Sequence, residues 1–276
     1  MNQHQDPLLK RVIDDIVGRY SNQIIAIYGI GSYFDDSLPS NWVKNDLDIV
    51  IIVKSLENIP KQKWTEIRYR KKVVDGIQVW LGFNTIEGYH DKLAFSKQSV
   101  SNYEWSLIDI KHPENSKLLF GEDIRDRLPS TDNLIFNYDN MLARGLYHLN
   151  KSLGEKETSE AMKAFSKAIF KIGFYFCILL DKNFQKTSIL EIGNKLKQLS
   201  TDNDFLEKII QFYEESIVYR ITGSFITDFN ELRDDFLVFM ISLVKESKIH
   251  RRMNSQELTK YLNETFSGFS NIVKRL

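Results

Sequence analysis

The sequence predicts an α+β protein: a mixed sheet flanked by helices comes first, and an all-α helical bundle follows. Three observations carry this expectation. The apolar runs Ile24–Tyr28 and Val50–Val53 are too brief for helices and are bounded by turn-forming residues. Asp75-Gly76 separates two further β-prone runs. Beyond residue 137, apolar side chains recur at helical spacing with no clear strand. Pro129, Ser130, Thr131 and Asp132 form a linker within RLPSTDNLIFN (127–137), which divides the chain into domains 1–128 and 129–276.

Residues 8–20, LLKRVIDDIVGRY, place apolar side chains on one helical face and stop at Ser21-Asn22. Ile24–Tyr28 reads as a buried strand. Asp46–Val53, DLDIVIIV, reads as a second strand that opens with two acids. Glu57–Lys71 is polar and reads as a helix entered at Pro60, a residue suited to a first turn. Val73-Val74 and IQVWLGF (77–83) read as strands, and Ser106–Ile110 as a further short one. Tyr138–Leu153, Ser159–Leu180, Ser188–Leu199, Phe205–Ile221, Phe229–Lys245 and Ser255–Phe266 read as helices. Gly154, the Asp181–Asn183 turn and Gly223 act as stops. FKIGFYFCILL has the character of a central buried helix.

Composition narrows the function classes. With 276 residues the chain suffices for one large or two modest domains. Its 37 basic and 37 acidic residues cancel, so nothing global favours nucleic acid or a membrane surface as the main partner. Cys177 is the one cysteine, which excludes an intramolecular disulfide and suits a reducing compartment. The start, MNQHQDPLLK, has no apolar secretory segment, and no apolar run approaches a bilayer span, so the expected location is cytoplasmic. The histidines lack zinc-type spacing.

The chemistry concentrates between Ile24 and Val53. Asp46 and Asp48 lie two apart in a β-prone run, so both side chains leave the same face. Their Cα atoms would stand roughly 6.5–7 Å apart, close enough for both carboxylates to converge on a divalent cation. Two charges opening an apolar strand are costly to bury without a partner, and a metal or a cationic ligand would resolve that cost. Gly31-Ser32 directly follows the first strand. Glycine turns tightly and lets a phosphate approach the backbone amides, while serine adds a hydroxyl donor. If the residues after Ser32 begin a helix, its free N–H groups favour an anion there. A triphosphate on the turn and Mg²⁺ on the aspartates make the parts of a metal-assisted nucleotidyl transfer.

The pattern of an apolar strand, Gly-Ser, 13 intervening residues, Asp-Leu-Asp and a β run resembles the nucleotidyltransferase superfamily that includes DNA polymerase β. With an added helical domain, the layout is similar to aminoglycoside nucleotidyltransferases of the kanamycin and streptomycin/spectinomycin types. It is also similar to minimal nucleotidyltransferases that accompany helical HEPN partners. The resemblance covers about the first 125 residues; GEDIRDRLP (121–129) matches the segment closing the catalytic domain. A weaker likeness runs through AFSKAIFKIGFYFCILLDKNFQKTS.

The resemblance implies that Gly31 and Ser32 hold the donor's β- and γ-phosphates and that Asp46 and Asp48 bind catalytic Mg²⁺. It places Lys186 near the donor's phosphates or the acceptor. It implies transfer of a nucleoside monophosphate, AMP from ATP, to a hydroxyl acceptor, with pyrophosphate release. The family's third carboxylate belongs on the next strand, where this chain offers Gln78. A glutamine gives an oxygen to a metal but takes no proton at neutral pH. Asp75 is nearby but of opposite strand parity. Asn45 replaces a frequent serine, and the loop lacks a common second glycine. Gln78 keeps a non-catalytic, nucleotide-binding module as an alternative. An antitoxin-like enzyme that modifies a protein or RNA partner is another. The basic run RYRKK (68–72) suits a triphosphate or RNA, or simply a solvated helix end. Arg144 and His148, four apart on one helix face, are similar to the Arg…His pair of HEPN ribonucleases, at shorter spacing.

Overall fold

The computed structural model describes residues 6–44, 46–57, 59, 72–74, 77–93, 95, 103–132, 134–136, 138–200 and 204–246. Asn45, Asp75, most of Glu57–Lys71 with the first four residues of the basic run, and the expected helix Ser255–Phe266 lie outside the described residues. The chain is α+β and packs as two compact units. One comprises Met1–Ser40, Lys44–Ile135 and Gln185–Leu190; the other comprises Asn41–Val43, Phe136–Phe184 and Glu191–Leu276. The main break thus falls at 135/136 instead of 128/129, and each unit takes a short segment from the other half of the sequence.

In the first unit, helix α1 (Pro7–Tyr20) starts at Asp6, whose carboxylate accepts from Leu8 N at 3.0 Å and Leu9 N at 3.2 Å. It buries Leu8, Leu9, Val12 and Ile16. Strand β1 (Ile24–Ile30) runs into a single 3-10 turn, Gly31–Tyr33. Strands β2 (Asp46–Val53), β3 (Lys72–Val74) and β4 (Ile77–Asn84) follow, then short helix α2 (Ile86–His90), helix α3 (Tyr103–Lys111) and strand β5 (Ser116–Gly121). The sheet order is β3-β4-β2-β1-β5. β2 pairs with β4 in parallel; the other pairings are antiparallel.

β2 sits mid-sheet with both faces covered. Leu47, Ile49, Ile51 and Val53 join the α1 side, with Val79 and Phe83 of β4. Val50 and Ile52 face the opposite core, with Tyr89 of α2 and Leu107 and Ile110 of α3. Covering both faces explains the uninterrupted IVIIV, because neither face meets water. Asp46 and Asp48 share parity with Val50 and Ile52 but are only half-buried, at the mouth of that face.

Two expectations change here. Ser106–Ile110, read as a strand, is helical within α3, where every residue from Ser106 to Ile110 is buried. A helix buried all round has no polar stripe to reveal its period. Its polar members are satisfied by tertiary bonds: Ser106 Oγ meets Tyr89 Oη at 2.7 Å, and Asp109 accepts from Thr187. SKLLFG carried no strand expectation, yet forms β5 at the sheet edge. The segment after β5 is locked by buried Tyr28. Its hydroxyl donates to Asp123 Oδ1 (2.9 Å) and accepts from Ile124 N (2.8 Å). Burial pushes the phenol up to about 12, so it remains a donor.

The second unit is helical among its described residues. Helices α4 (Tyr138–Gly154), α5 (Thr158–Leu180), α6 (Ile189–Leu199, whose first two residues belong to the first unit), α7 (Asp204–Thr222) and α8 (Phe229–Glu246) follow in order. α5 is the buried central helix that FKIGFYFCILL suggests. Gly145 of α4 lets α5 approach closely, since a Cβ there would fall 2.5 Å from Ile172 Cγ1. Phe165 meets Phe225, Phe229 and Phe236 edge-on, at centroid distances of 5.7, 5.6 and 5.4 Å. Trp42, from the segment out of the first half, stacks on Phe170 beneath the Arg220 guanidinium. Arg220 Nη2 donates to Val43 O at 2.8 Å. Cys177 is buried and its thiol is pushed up to about 12 by burial, the behaviour of an inert core residue. Among the described residues, no helix is long and apolar enough to cross a membrane.

His148 gives this unit a pH dependence. Burial, then the charges of Lys167, Lys171, Lys151 and Arg144, push its imidazole down to about 3. The unfolded histidine takes a proton near 6.5, so between those values the unfolded state binds more protons. Stability therefore falls as pH drops from about 6.5 towards 3, by at most about 1.4 kcal/mol per pH unit. Urea midpoints between pH 7 and 4.5 check this: His148→Gln flattens the dependence relative to wild type. Identical slopes in the two proteins would remove the effect.

Candidate functional site

The site grows from the end of β1. A Cβ on Gly29 would fall 2.2 Å from Phe34 Cζ, and Phe34 is itself 3% exposed. The missing side chain lets Phe34 fold back over the strand. Gly31 has φ +76°, the left-handed region that glycine enters at little cost. A Cβ on Gly31 would stand 3.4 Å from Asp48 Oδ2, so the Asp48 carboxylate lies against the turn. Strand register agrees, with Ile30 opposite Asp48. After Ser32 the chain makes only the 3-10 turn, and Phe34 N closes it on Gly31 O at 3.0 Å. The helix considered after Ser32 is absent, and with it the anion site of a helix N-terminus.

On the other flank of β2, parallel register sets Gln78 beside Asp46 and Trp80 beside Asp48. Neighbouring strands lie about 4.8 Å apart, so Asp46, Asp48 and Gln78 occupy one patch of one face. Gln78 is half-buried, and Trp80 keeps 38% of its surface exposed. The carboxylate and amide oxygens are hard donors of the kind Mg²⁺ takes, usually one or two carboxylates completed by phosphate oxygens. The residues present therefore fit Mg²⁺ bound together with a phosphorylated ligand. Among the described residues, no group of three or more His, Cys, Asp or Glu side chains forms a metal cluster, so the acids remain a pair. Strand parity in the sequence picks out the aspartate pair, and the family resemblance picks out Gln78. Sequence reasoning passed over Trp80, which the same parity places on that face.

Lys186 belongs to the segment 185–190, which packs with the first unit. Gln185 Nε2 donates to Thr131 O (2.6 Å) and Leu134 O (3.1 Å). Thr187 Oγ1 donates to buried Asp109 and accepts from Asn115 Nδ2 at 3.2 Å. Ser188 Oγ donates to Asp35 Oδ2 at 2.9 Å, on the connection that follows the Gly31 turn. Lys186 Nζ stands 3.3 Å from Glu114 Oε1, before β5. Partial burial raises the Glu114 carboxyl, but its backbone bond, Lys186 and His112 together hold it below the usual range. Arg144 and His148 do share a face of α4. Arg144 Nε donates to Asn140 Oδ1 at 3.2 Å, and the His148 ring lies edge-on to Tyr147.

The segment's hold is measurable by urea unfolding. Thr187→Val removes a hydroxyl bonded to a buried carboxylate and destabilises the protein by about 1–3 kcal/mol. Lys186→Ala breaks the exposed pair with Glu114 and is expected to cost less than about 1 kcal/mol. The reverse ranking would show that the surface pair fastens the segment. Comparison of the chain with protein-family profiles and with curated proteins returns no match, so the chemistry of the site rests on its own residues.

Proposed function

We propose that the chain is a Mg²⁺-dependent nucleotidyltransferase of the superfamily that includes DNA polymerase β. It moves a nucleoside monophosphate, AMP from ATP, to a hydroxyl acceptor and releases pyrophosphate. One observation carries the reading: a paired-aspartate strand mouth with the Asp48 carboxylate against the positive-φ glycine of a Gly-Ser turn. When bound, Mg²⁺ supplies charge neutralisation at the phosphoryl group and polarises its oxygens.

The chain's own residues do the positioning. The Gly31–Ser32 amides and the Ser32 hydroxyl hold the phosphates. The order β4-β2-β1 puts that turn on one flank of the aspartates and Gln78 with Trp80 on the other. In-line displacement needs the leaving pyrophosphate and the attacking hydroxyl on opposite sides of phosphorus, so the acceptor approaches along β4. There Gln78 accepts a hydrogen bond from the hydroxyl and orients it. It does not take the proton, which passes to water.

Gln78 also supports a second reading, a module that binds Mg·ATP without turnover. Labelled ATP, Mg²⁺ and pools of hydroxyl acceptors separate the two. The transferase reading expects label transfer with matching pyrophosphate, reduced about 100-fold or more by Asp46→Asn or Asp48→Asn. Gln78→Glu supplies a base and raises the rate about tenfold or more once the new carboxyl ionises. Calorimetric binding of Mg·ATP with no transfer to any acceptor leaves the binding module standing and removes the enzyme.

A further inference from the structure

The Gly31–Tyr33 turn contains no cation; the side chain against it, Asp48, is an acid, and Asp46 lies two residues before it on the same strand face. A divalent ion on those carboxylates is largely spent in balancing them, which leaves the charge of a triphosphate without a counterpart. An ammonium reaches the turn from the far end of the connection. Lys44, two residues before Asp46, reaches back so that its Nζ donates to Tyr33 O at 3.0 Å and lies 4.3 Å from the centre of the Tyr33 ring. The lysine is exposed, so water would serve that ammonium equally well, and holding its long stem in one place costs rotamer freedom.

Its platform is rigid. The Tyr33 hydroxyl donates to Asp6 Oδ2, while Asp6 Oδ1 caps α1 through Leu8 N and Leu9 N. Burial, reinforced by Asp6, pushes the Tyr33 phenol well above its ordinary pKa, so the hydroxyl remains a donor. The chain Asp6–Tyr33–Lys44 thus fixes an ammonium at the end of the turn that begins with Gly31 and Ser32. Two other lysines of the first unit are paired with acids, Lys117 with Asp36 and Lys186 with Glu114. Lys44 differs: the partners it has here are a carbonyl and a ring face, both neutral. An arriving phosphate need displace no carboxylate to reach it.

We infer that Lys44 is a phosphate-binding residue of this site, supplying from the end of the connection the positive charge that the Gly-Ser turn lacks. The inference rests on the nucleotidyltransferase reading for the identity of the ligand, the triphosphate of Mg·ATP. It adds a residue that motif spacing does not reveal, because the lysine precedes the aspartates and meets the turn only in three dimensions.

Calorimetric titration of the full chain with Mg·ATP tests it. Lys44→Met and Lys44→Gln are each expected to weaken binding about tenfold or more and to make it less sensitive to salt, while Lys44→Arg stays within about threefold of wild type. The glutamine variant keeps a donor for Tyr33 O, so equal losses in the glutamine and methionine variants assign the effect to charge. Wild-type affinity in Lys44→Gln overturns the inference, as does a Lys44→Arg protein as weak as Lys44→Met. Melting temperatures without ligand that match wild type exclude a folding defect; if Lys44→Met fails to fold, the glutamine and arginine variants decide alone. If wild-type protein binds no Mg·ATP, the nucleotide reading itself fails. If wild type binds, Asp48→Asn does not, and the neutral Lys44 variants bind normally, only the role of Lys44 fails.

Discussion

Strand β2 is the constraint on which the rest of the first unit depends. It is the middle strand of five, paired with β1 on one side and β4 on the other, and covered above and below. From Ile49 to Val53 every residue is buried, and each such side chain contributes about 1.5–3 kcal/mol by leaving water. A charge anywhere in that run would have no solvent and no room for a partner. The strand can carry acids only at its mouth, where the face opens, and Asp46 and Asp48 stand there. The same apolar register that stabilises the sheet aims both carboxylates to one side. It also fixes what they meet: the Gly31 turn through β1, and Gln78 with Trp80 through β4. Fold and candidate chemistry therefore share one determinant.

What was legible in the sequence follows from how local each cause is. DLDIVIIV announces a buried strand because its apolar run is short, continuous and rich in β-branched residues. The parity that pairs Asp46 with Asp48 and selects Gln78 over Asp75 is equally local. α3 was not legible, because Ser106 to Ile110 are buried all round and no polar stripe marks the helical period. The polarity of Ser106 and Asp109 is answered by Tyr89 and Thr187, the latter 78 residues away in the chain. The membership of 185–190 in the first unit, and of 41–43 in the second, has the same origin. Nothing within FQKTS or SNWVK states which surface will accept Thr187 or Trp42; Asp109, Asn115, Phe170 and Arg220 do. Lys44 belongs to this class too, since its meeting with Tyr33 closes a connection with no regular period.

Gln78 is the position where fold and function pull apart. A carboxylate beside Asp46 would bring a third negative charge to one patch of one face. Without a metal, that repulsion would oppose folding, since like charges at strand-neighbour distance are unfavourable. An amide of the same shape avoids the repulsion, keeps an oxygen for a cation and still orients a hydroxyl. It gives up the ability to take a proton. Compared with a carboxylate, the amide eases assembly of the site; on the nucleotidyltransferase reading it also lacks the proton acceptor that would activate an incoming hydroxyl. On the nucleotidyltransferase reading, catalysis here comes from placement and charge neutralisation, with little from general base action. On the same reading, the features proposed to hold the nucleotide are the aspartates, the positive-φ glycine and the ammonium on Tyr33. The proposed acceptor flank offers only an amide and a half-open indole, so on this reading the site is built mainly to grip the donor.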